Sequence, residues 1–529
     1  MSVTTAESPR PVPSLLRNYI SFCGWAIILA TLTSIVLLVL IELTGVSDSP
    51  YVGIITYIVL PAILVFGMML VPLGMLLERR RRRGLAPSEI PAFPVLDLND
   101  SRSRTSLAKF LVLTTFFVFM SAFGSYRAYE YTESVAFCGT LCHTVMKPEF
   151  IAFQASAHAR IRCVDCHVGP GADWYVRSKL SGAYQLYAVA FNKYPTPIKT
   201  PVHNLRPAQE TCEQCHWPEK FFGAQLKVFN EFGFDEANTL HQTRLLIKTG
   251  GGSATTGMAA GIHWHMNIAN EVSYVATDDQ RQVIPWVRLK DQYGNVTEYR
   301  DVRGAPSPDE LAALPQRVVD CVDCHNRPSH VYVPPNRAVN EAFVAGRLDP
   351  SLPFLKRQSV EVLSQPYSTT DEALGGIGDS IVGFYRTHYP DLYASRRASV
   401  DSAVTELQRI YQTYIFPEMK VDWRTHPDNL GHFYFKGCFR CHDGNHVSDT
   451  GKVIQNDCAI CHTALDQTSD GRVLSNPDGE YVHPIDLGDL PVGDCRRCHT
   501  GTGPFRHALD LGDISAFKCA QCHPGGTGR

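Results

Sequence analysis

The sequence predicts a chain in which three N-terminal transmembrane α-helices precede mostly α-helical and irregular periplasmic domains with a small β-containing insertion. Three long apolar runs within the first 126 residues predict the helices. Beyond them, sixteen of the seventeen cysteines form eight short motifs that each end in histidine. Because the two thiols of a C-x-x-C-H motif form thioethers with haem vinyl groups and its histidine ligates the iron, these motifs predict covalently held haem. The fold class is therefore that of a membrane-anchored multihaem cytochrome c.

The eight motifs predict eight c-type haems. Seven have two residues between the cysteines, whereas a zinc site would pair such units without an obligatory histidine after each one. The first motif has three intervening residues, and we predict haem attachment there as well. The predicted attachment residues are Cys138, Cys142, Cys163, Cys166, Cys212, Cys215, Cys321, Cys324, Cys438, Cys441, Cys458, Cys461, Cys495, Cys498, Cys519 and Cys522. The predicted proximal iron ligands are His143, His167, His216, His325, His442, His462, His499 and His523.

The net charge and the use of the cysteines bear on the partners of the protein and on the location of its haem domains. The formal net charge of −3 over 529 residues, with histidine neutral, argues against a nucleic-acid partner. Cys23, the one cysteine outside the motifs, lies in an apolar run. Thioether attachment of haem takes place outside the cytoplasm, so we expect the domains that carry the motifs to lie there.

The three apolar runs are assigned by their length and their lack of charge. The first, residues 20–43, has Glu42 as its only charged residue, and the second, residues 51–77, is uncharged but interrupted by two prolines. The third, residues 110–126, has 17 uncharged residues and is at the short end for a membrane span. All three are predicted to cross the lipid bilayer.

The arginines predict the orientation of these helices. Five consecutive arginines, Arg79 to Arg83, follow the second run, and the positive-inside rule places this linker and the N-terminus in the cytoplasm. The loop at 44–50 has no Lys or Arg and is predicted to face outward. The third helix then delivers Cys138 just beyond the membrane. We therefore predict a multi-pass protein of the inner (cytoplasmic) membrane with its haem domains on the periplasmic side.

The motif positions divide the chain into segments. Strand-like runs lie within residues 271–303, and apolar positions at helical spacing lie within 335–415. The predicted segments are a cytoplasmic N-terminus (1–19), a transmembrane region (20–126) with a cytoplasmic linker (79–106), a three-haem module (127–225), an insertion with the fourth haem (226–334), a helical connector (335–415) and a C-terminal four-haem module (416–529).

The stretch from Cys138 to about residue 222 resembles the NapC/NirT family of membrane-anchored quinol dehydrogenases. The features that match are Met146 after the first motif, Ser156-Ala-His158 before the second, the run Cys163-Val-Asp-Cys-His-Val-Gly-Pro-Gly, and the downstream Lys179. The resemblance implies oxidation of quinol from the membrane pool near the first haem, with electrons passed outward from haem to haem. It also implies that Lys179 binds the quinol oxygen as a donor, the alternative being a surface lysine beside phospholipid headgroups.

The layout of the whole chain is similar to that of the larger inner-membrane NapC/NirT cytochromes of metal-respiring bacteria. The matching segments are 261–265, 321–330 and 437–446. Two departures from the family pattern occur. Met146 stands one residue further from the first motif, and no acidic residue lies between Trp174 and Asn192. The ligation of the first haem and the proton acceptor for quinol therefore stay open.

Twelve histidines outside the motifs are candidates for second axial ligands. Low-potential haems commonly have two histidine ligands, whereas a methionine ligand raises the potential. We favour histidines close to a motif, namely His158, His203, His330, His432 and His446. One of His263 and His265, which on a strand would face the same side, is predicted to be a further ligand, and His483 and His507 follow. Met146 is the rival of His143 at the first haem, and His241, His388 and His426 are predicted to be structural.

Three functional hypotheses follow. The favoured one is a menaquinol-oxidising octahaem cytochrome that feeds periplasmic cytochromes or reductases in anaerobic or metal respiration. The second is a terminal reductase of a small nitrogen or sulfur oxyanion at a five-coordinate haem, although all eight motifs end in histidine. The third is an electron-transfer subunit that docks into a larger membrane complex.

Overall fold

The computed structural model describes residues 14–43, 60–84, 99–141, 143–169, 172–201, 206–217, 223–250, 261–266, 270–432 and 434–475. The described residues fall into two compact units. One lies within Met1–Ser134 and Val168–Ala183, and the other within Val135–His167 and Tyr184–Arg529. The last two motifs, with Cys495, Cys498, His499, Cys519, Cys522 and His523, and the candidate ligands His203, His483 and His507 lie outside the described residues.

The N-terminal unit contains two apolar helices that pack closely against each other, α1 (Tyr19–Leu43) and α2 (Leu60–Arg81). Small residues line their contact, as in membrane helix pairs, where close backbone approach replaces the hydrophobic effect as the driving force. A Cβ added at Gly24 would lie 2.9 Å from the Gly67 carbonyl oxygen, and one added at Gly74 would meet Ser21 Oγ. Ser21 Oγ also donates a hydrogen bond of 2.9 Å to the carbonyl of Val71.

The end of α2 carries part of the arginine run. Arg82 Nε donates a hydrogen bond of 2.8 Å to Glu78, whose side chain is buried. Arg79, Arg80 and Arg81 occupy the last turn of α2, where cations stabilise the negative end of the helix dipole.

Two described helices are long and apolar enough to cross a membrane, Tyr19–Val39 and Leu60–Arg81, where the sequence predicts three. The third apolar run lies within α3 (Ser101–Thr132), a helix of 32 residues. Its first turns carry the exposed Arg102, Arg104 and Lys109, so charge flanks a short apolar run rather than a full-length one. At about 1.5 Å per residue that run covers about 25 Å, less than the hydrocarbon core of about 30 Å. The number of candidate spans is thus corrected to two.

The next helices in the chain are α4 (His143–Gln154), α5 (Cys163–His167), α6 (Ala172–Ala190), which begins in the first unit, α7 (Ala208–Cys212), α8 (Pro308–Ala313) and α9 (Cys321–Cys324). Motif 2 lies in the short helix α5, motif 3 begins at the last residue of α7, and motif 4 begins with α9. Three-residue and four-residue 3₁₀ turns hold the next motifs, at Gly437–Arg440 and Cys458–Ile460.

The stretch predicted as a helical connector contains four helices that enclose the largest core. They are α10 (Pro335–Val344), α11 (Leu355–Leu363), α12 (Thr370–His388) and α13 (Pro390–Tyr414), the last with a kink at Arg396. Their inward faces bury residues such as Val339, Ile377 and Leu407, each fully inaccessible to solvent. The helical periodicity of these apolar residues is the pattern that the sequence shows.

A charged pair is buried beside this core. Lys356 of α11 is 0% exposed, and its Nζ donates hydrogen bonds to the Asn336 carbonyl (2.7 Å) and to Asn340 Oδ1 (2.5 Å). The amide of Asn340 donates in turn to the carboxylate of Glu231 at 2.6 Å. Asn336 Nδ2 also reaches Glu231 and the hydroxyl of Tyr434. Asn340 therefore bridges the buried cation and the carboxylate of Glu231 through its side-chain amide, whereas Asn336 does so through its backbone carbonyl and its side-chain amide.

Two antiparallel sheets join segments that are far apart in the chain. One has the order β1 (Gln225–Phe232), β2 (Leu240–Ile247), β8 (His462–Ser469), β9 (Arg472–Ser475). The other has the order β6 (Arg317–Val318), β3 (Glu271–Val275), β4 (Trp286–Lys290), β5 (Val296–Asp301), β7 (His446–Ser448). Each sheet pairs strands of the predicted insertion with strands of the predicted C-terminal module, so these two segments fold together.

Candidate haem-binding sites

We number the sites by motif, from site 1 at Cys138 to site 8 at Cys519. At sites 3, 4 and 5 the motif forms one helical turn in which the histidine N–H donates to the carbonyl of the first cysteine. These bonds measure 2.8 Å at His216, 2.8 Å at His325 and 3.0 Å at His442. Positions i, i+3 and i+4 share one face of a helix, so the turn presents both thiols and the imidazole to the same side. That arrangement fits a haem held by two thioethers and one axial ligand.

Site 1 has a wider turn that matches its wider cysteine spacing. Cys138 lies in a π-helical turn, Phe137–Leu141, and His143 begins α4. A π turn takes up one extra residue within a helical path, which is what a third residue between the cysteines requires. Gly139 makes the turn possible, because a Cβ there would collide with the ring of Phe150. Cys142 and the side chain of His143 lie outside the described part of the chain.

The first three motifs lie next to one another in order. Cys163 of site 2 shares a hydrogen bond with Cys138 of site 1, which lowers the pKa of the Cys163 thiol to about 7. Burial raises the pKa of Cys166, also in site 2, and the neighbouring thiols of Cys212 and Cys215 in site 3 raise it further. Site 2 therefore touches site 1 through its first cysteine and site 3 through its second.

The same pattern continues through the next three motifs. Cys212 of site 3 shares a hydrogen bond with Cys321 of site 4. After burial, the largest influence on the pKa of Cys324 in site 4 is the thiol of Cys438 in site 5. For Cys438 it is the thiol of Cys461 in site 6. Sites 1 to 6 thus form a single file in chain order.

Five motif histidines each face a histidine from elsewhere in the chain. The centroid separations are 6.2 Å for His167 and His330 at site 2, 6.1 Å for His216 and His158 at site 3, 6.3 Å for His325 and His263 at site 4, 5.8 Å for His442 and His265 at site 5, and 6.2 Å for His462 and His432 at site 6.

These separations are those that a haem iron between two imidazoles requires. A metal lies about 2.0 Å from a ligating imidazole nitrogen, so two ring centroids on opposite sides of one metal lie about 6 Å apart. Direct packing would bring two rings closer, as it does for His432 and Phe439 at 4.4 Å. The spacing and the donor set of two thiols and two imidazoles fit c-type haem at sites 2 to 6.

Backbone carbonyls orient several of these rings. Nδ1 of His330 lies 2.9 Å from the carbonyl of Glu149, Nδ1 of His158 lies 3.1 Å from that of Pro328, and Nδ1 of His265 lies 2.9 Å from that of Ile262. His263 and His442 make the equivalent bond. Because a carbonyl can only accept, each Nδ1 carries the proton and each Nε2 keeps its lone pair for a metal.

Burial keeps most of these rings neutral. It lowers the pKa of the motif histidines His167, His325, His442 and His462. Among the facing histidines it lowers the pKa of His265, His432 and His330, the last to about 4. The neutral imidazole is the form that ligates a metal.

One sequence prediction about candidate ligands needs correction. His446 is predicted as a ligand, but its Nδ1 lies 2.9 Å from Asp443 and its Nε2 lies 2.7 Å from the carbonyl of Ile284, so neither nitrogen is left for iron. His263 and His265, of which one is predicted to be a ligand, lie in a 3₁₀ turn, Ile262–Met266, from which the two rings face the different sites 4 and 5.

The other predicted residues are placed as follows. Met146 is half-buried one turn into α4, after His143. Lys179 lies in α6, and its side chain is outside the described part of the structure. His426 is buried, with Nδ1 3.0 Å from Thr200 Oγ1.

Two functional side chains lie inside the motifs and are missed by sequence reasoning. Asp323 and Arg440 occupy the variable positions of motifs 4 and 5, and both are buried. A charged residue between two haem cysteines, followed by burial of the whole turn, is the signal that could have singled them out.

Comparisons with known proteins give one family and one relative. The pattern of the NapC/NirT cytochrome c family, N-terminal region, matches residues 101–211. Cytochrome c-type protein ImcH of Geobacter sulfurreducens is 41% identical over 491 residues, which cover 93% of this chain and 96% of that protein. No solved structure matches.

Proposed function

Because the chain belongs to the NapC/NirT cytochrome c family, we propose that it oxidises menaquinol in the membrane and passes the electrons along eight haems to periplasmic acceptors. The chain is a membrane-anchored c-type cytochrome of electron transport. The number of haems, the quinol, the direction of electron flow and the acceptors are part of our proposal.

The observation that carries the proposal is the single file of sites 1 to 6. Each neighbouring pair of sites has cysteines close enough to share a hydrogen bond or to act on each other electrostatically, which keeps the attached groups near one another. When bound, haem supplies one-electron transfer between ferric and ferrous iron. The residues of this chain hold the successive groups in a fixed order and spacing.

We propose that five pairs of histidines complete the axial ligation at sites 2 to 6. The second ligands would be His330 at site 2, His158 at site 3, His263 at site 4, His265 at site 5 and His432 at site 6. Met146 remains the candidate at site 1 beside His143. His203, His483 and His507 remain candidate second ligands for the sites at which the described residues do not supply one.

Paired histidines favour electron transfer over a terminal reductase. An iron with two imidazole ligands has no open position for nitrite or another oxyanion. Five of the six sites in the described part of the chain present such a pair, which supports a conducting role for this segment. A reductase would need an open position at one of the remaining sites.

We propose that quinol binds beside α6, with Lys179 as the donor to its oxygen. Oxidation of quinol releases two electrons and two protons, so the site needs a group that orients the ring oxygen and a route for protons. From Trp174 to Gln209 the sequence has Arg177, Lys179, Lys193, Lys199 and Arg206 and no acidic residue. Such a stretch stabilises the negative charge that develops as a quinol oxygen loses its proton.

We propose that the domains that carry the motifs lie on the periplasmic side of the inner membrane, because haem is attached to such motifs outside the cytoplasm. The two candidate spans of the described chain, α1 and α2, would anchor them there. Protease added to spheroplasts should cleave the motif-bearing domains, and protection until the membrane is broken would refute this sidedness.

The test of the quinol proposal is anaerobic reduction of the purified oxidised protein by a menaquinol analogue, followed through the haem absorption bands. Rapid reduction is expected in the wild type and in the control Lys290→Ala, which removes an exposed lysine at the end of β4, outside this stretch. Lys179→Ala should slow the reaction at least tenfold while leaving reduction by dithionite unchanged. Ready reduction by dithionite with none by quinol would show that electrons come from another donor.

A further inference from the structure

Motifs 4 and 5 are joined by a buried polar cluster that the proposed electron path does not explain. We call it the Asp323 cluster, and it consists of Asp323, Tyr274, Arg281, Arg317 and Arg440. Asp323 is 4% exposed and lies between the two cysteines of motif 4, whereas Arg440 lies between those of motif 5 and is 8% exposed. The cluster therefore occupies the space between two neighbouring sites.

The carboxylate of Asp323 is saturated with donors. Tyr274 Oη donates to Oδ1 at 2.7 Å, Arg281 Nη1 at 3.0 Å and Arg317 Nε at 2.8 Å. The backbone N–H of Asp320 donates to Oδ2 at 2.7 Å. These bonds fix the turn of motif 4 to β3, to β6 and to the loop after β3, because charge-assisted hydrogen bonds are the strongest that side chains form.

Arg440 connects the two motifs directly. Its Nε donates to the Gly437 carbonyl in its own turn at 2.9 Å, and its Nη1 donates to the Arg281 carbonyl at 2.9 Å. Its Nη2 donates to the carbonyl of Asp323, inside motif 4, at 2.6 Å. One planar guanidinium thus holds three backbone segments in one geometry, which a flexible ammonium would not do.

The charge of Arg440 lies close to both sites. Its hydrogen bonds go to neutral carbonyls, and within the described part of the chain no carboxylate forms an ion pair with it. The residue itself lies between the two cysteines of motif 5, and the Asp323 carbonyl that it bonds lies between those of motif 4. A buried positive charge acts at this range because the surrounding protein screens it less than water does.

We propose that Arg440 is a positioning residue that locks sites 4 and 5 into one rigid pair and raises the reduction potential of the groups they hold. The inference rests on the proposed electron path and adds a role for this pair within it. Adding an electron makes a site more negative by one charge, and a nearby cation stabilises that state. Electrons that arrive along the file would therefore collect at the pair before moving on.

The test compares Arg440→Gln, Arg440→Lys and the control Arg424→Gln in the full-length protein. Arg424 is half-exposed and pairs with Asp422 on the surface. Haem content is measured first by mass and by absorbance, and then a potentiometric titration with chemical reductant follows the haem bands. The titration does not depend on quinol, so its failure and failure of the quinol test are distinguishable.

In Arg440→Gln we expect the equilibrium constant for reduction of two of the haems to fall at least tenfold. This corresponds to a reduction potential that is lower by about 59 mV for one electron. Arg440→Lys keeps the charge but loses the three-way hydrogen bonding, so it should keep most of the potential. Stopped-flow reduction of Arg440→Lys should nevertheless slow in its late phase, because the pair is no longer rigid. Arg424→Gln should match the wild type in both measurements.

Two results would overturn the inference. If Arg440→Gln retains all haems and titrates like the wild type, the charge does not act on these sites. If Arg440→Lys loses as much potential as Arg440→Gln, the effect comes from packing rather than from charge. Should Arg440→Gln lose haem, Arg440→Met, which also removes the charge, takes its place in both comparisons.

Discussion

Replacing Lys356 with methionine should destabilise the region around α10–α13 more than any exposed lysine replacement. Lys356 is fully buried and its Nζ makes two hydrogen bonds, to Asn336 and Asn340. Methionine has a similar length and fills the same space, so the change removes charge and hydrogen bonding with little change in packing. The substitution therefore isolates what the charge and hydrogen bonds of Lys356 contribute to stability.

The magnitude follows from what the substitution leaves behind. Removing one partner of a buried charge pair costs about 3–5 kcal/mol, because the other charge stays buried without compensation. Here the remaining charge is that of Glu231, whose pKa burial already raises. We expect Lys356→Met to cost about 3–5 kcal/mol, and the double variant Lys356→Met/Glu231→Gln, which removes both charges, to cost about 1–2 kcal/mol.

Hydrogen–deuterium exchange of the α11 and α13 amides in detergent measures this cost as a free energy of opening, with the exposed Lys452→Met as the control. Asn336, whose carbonyl accepts from Lys356, also donates a hydrogen bond to the hydroxyl of Tyr434. Tyr434 lies two residues after His432, so amide exchange in that loop should rise as well. A cost below about 1 kcal/mol, or a double variant whose cost equals the sum of the singles, would refute the reasoning.

Three further predictions concern single sites. His330→Ala should convert one haem from six-coordinate low spin to high spin in the EPR spectrum, and an unchanged low-spin spectrum would exclude His330 as a ligand. Burial lowers the pKa of His446, but the Asp443 carboxylate outweighs it and leaves the pKa raised. Its stabilisation should therefore be complete below about pH 6.5 and be lost as pH rises through the higher folded-state pKa, and thermal unfolding of His446→Gln should lack this dependence. Gly74→Leu should loosen α1 from α2 and lower the melting temperature in detergent, because the new side chain meets Ser21 of α1 and Asn18 just before it, whereas Gly124→Leu on α3 should not.

Spacing rules made much of the candidate sites predictable. A turn of C-x-x-C-H places two thiols and an imidazole on one face whatever surrounds it, so the attachment residues can be read from the chain. The proximity rule for second ligands selects His330, which lies five residues after motif 4 but faces His167 of motif 2. Which site each histidine faces depends on how the segments pack, and spacing does not determine that.

Two histidine-bearing turns show what local patterns omit. His446 is close to motif 5 in the chain, but Asp443 of its own turn and the Ile284 carbonyl, from the segment that leads into β4, occupy both ring nitrogens. The 3₁₀ turn at 262–266 likewise begins with N–H groups that donate to the carbonyls of Lys248 and Gly250. In both turns a hydrogen bond to a distant segment contributes to the outcome, and spacing along the chain does not reveal it.

The pairing of His330 with His167 bears on how the protein can be assembled. If His330 is the second ligand of site 2, the module of residues 127–225 cannot complete its own ligation, because its missing ligand is more than a hundred residues downstream. A chain cut after residue 225 would attach haem at Cys163 and Cys166 and leave it five-coordinate. The haem of site 2 would then be open to small molecules until the rest of the polypeptide has been exported, so the later segments would protect this haem as well as conduct electrons.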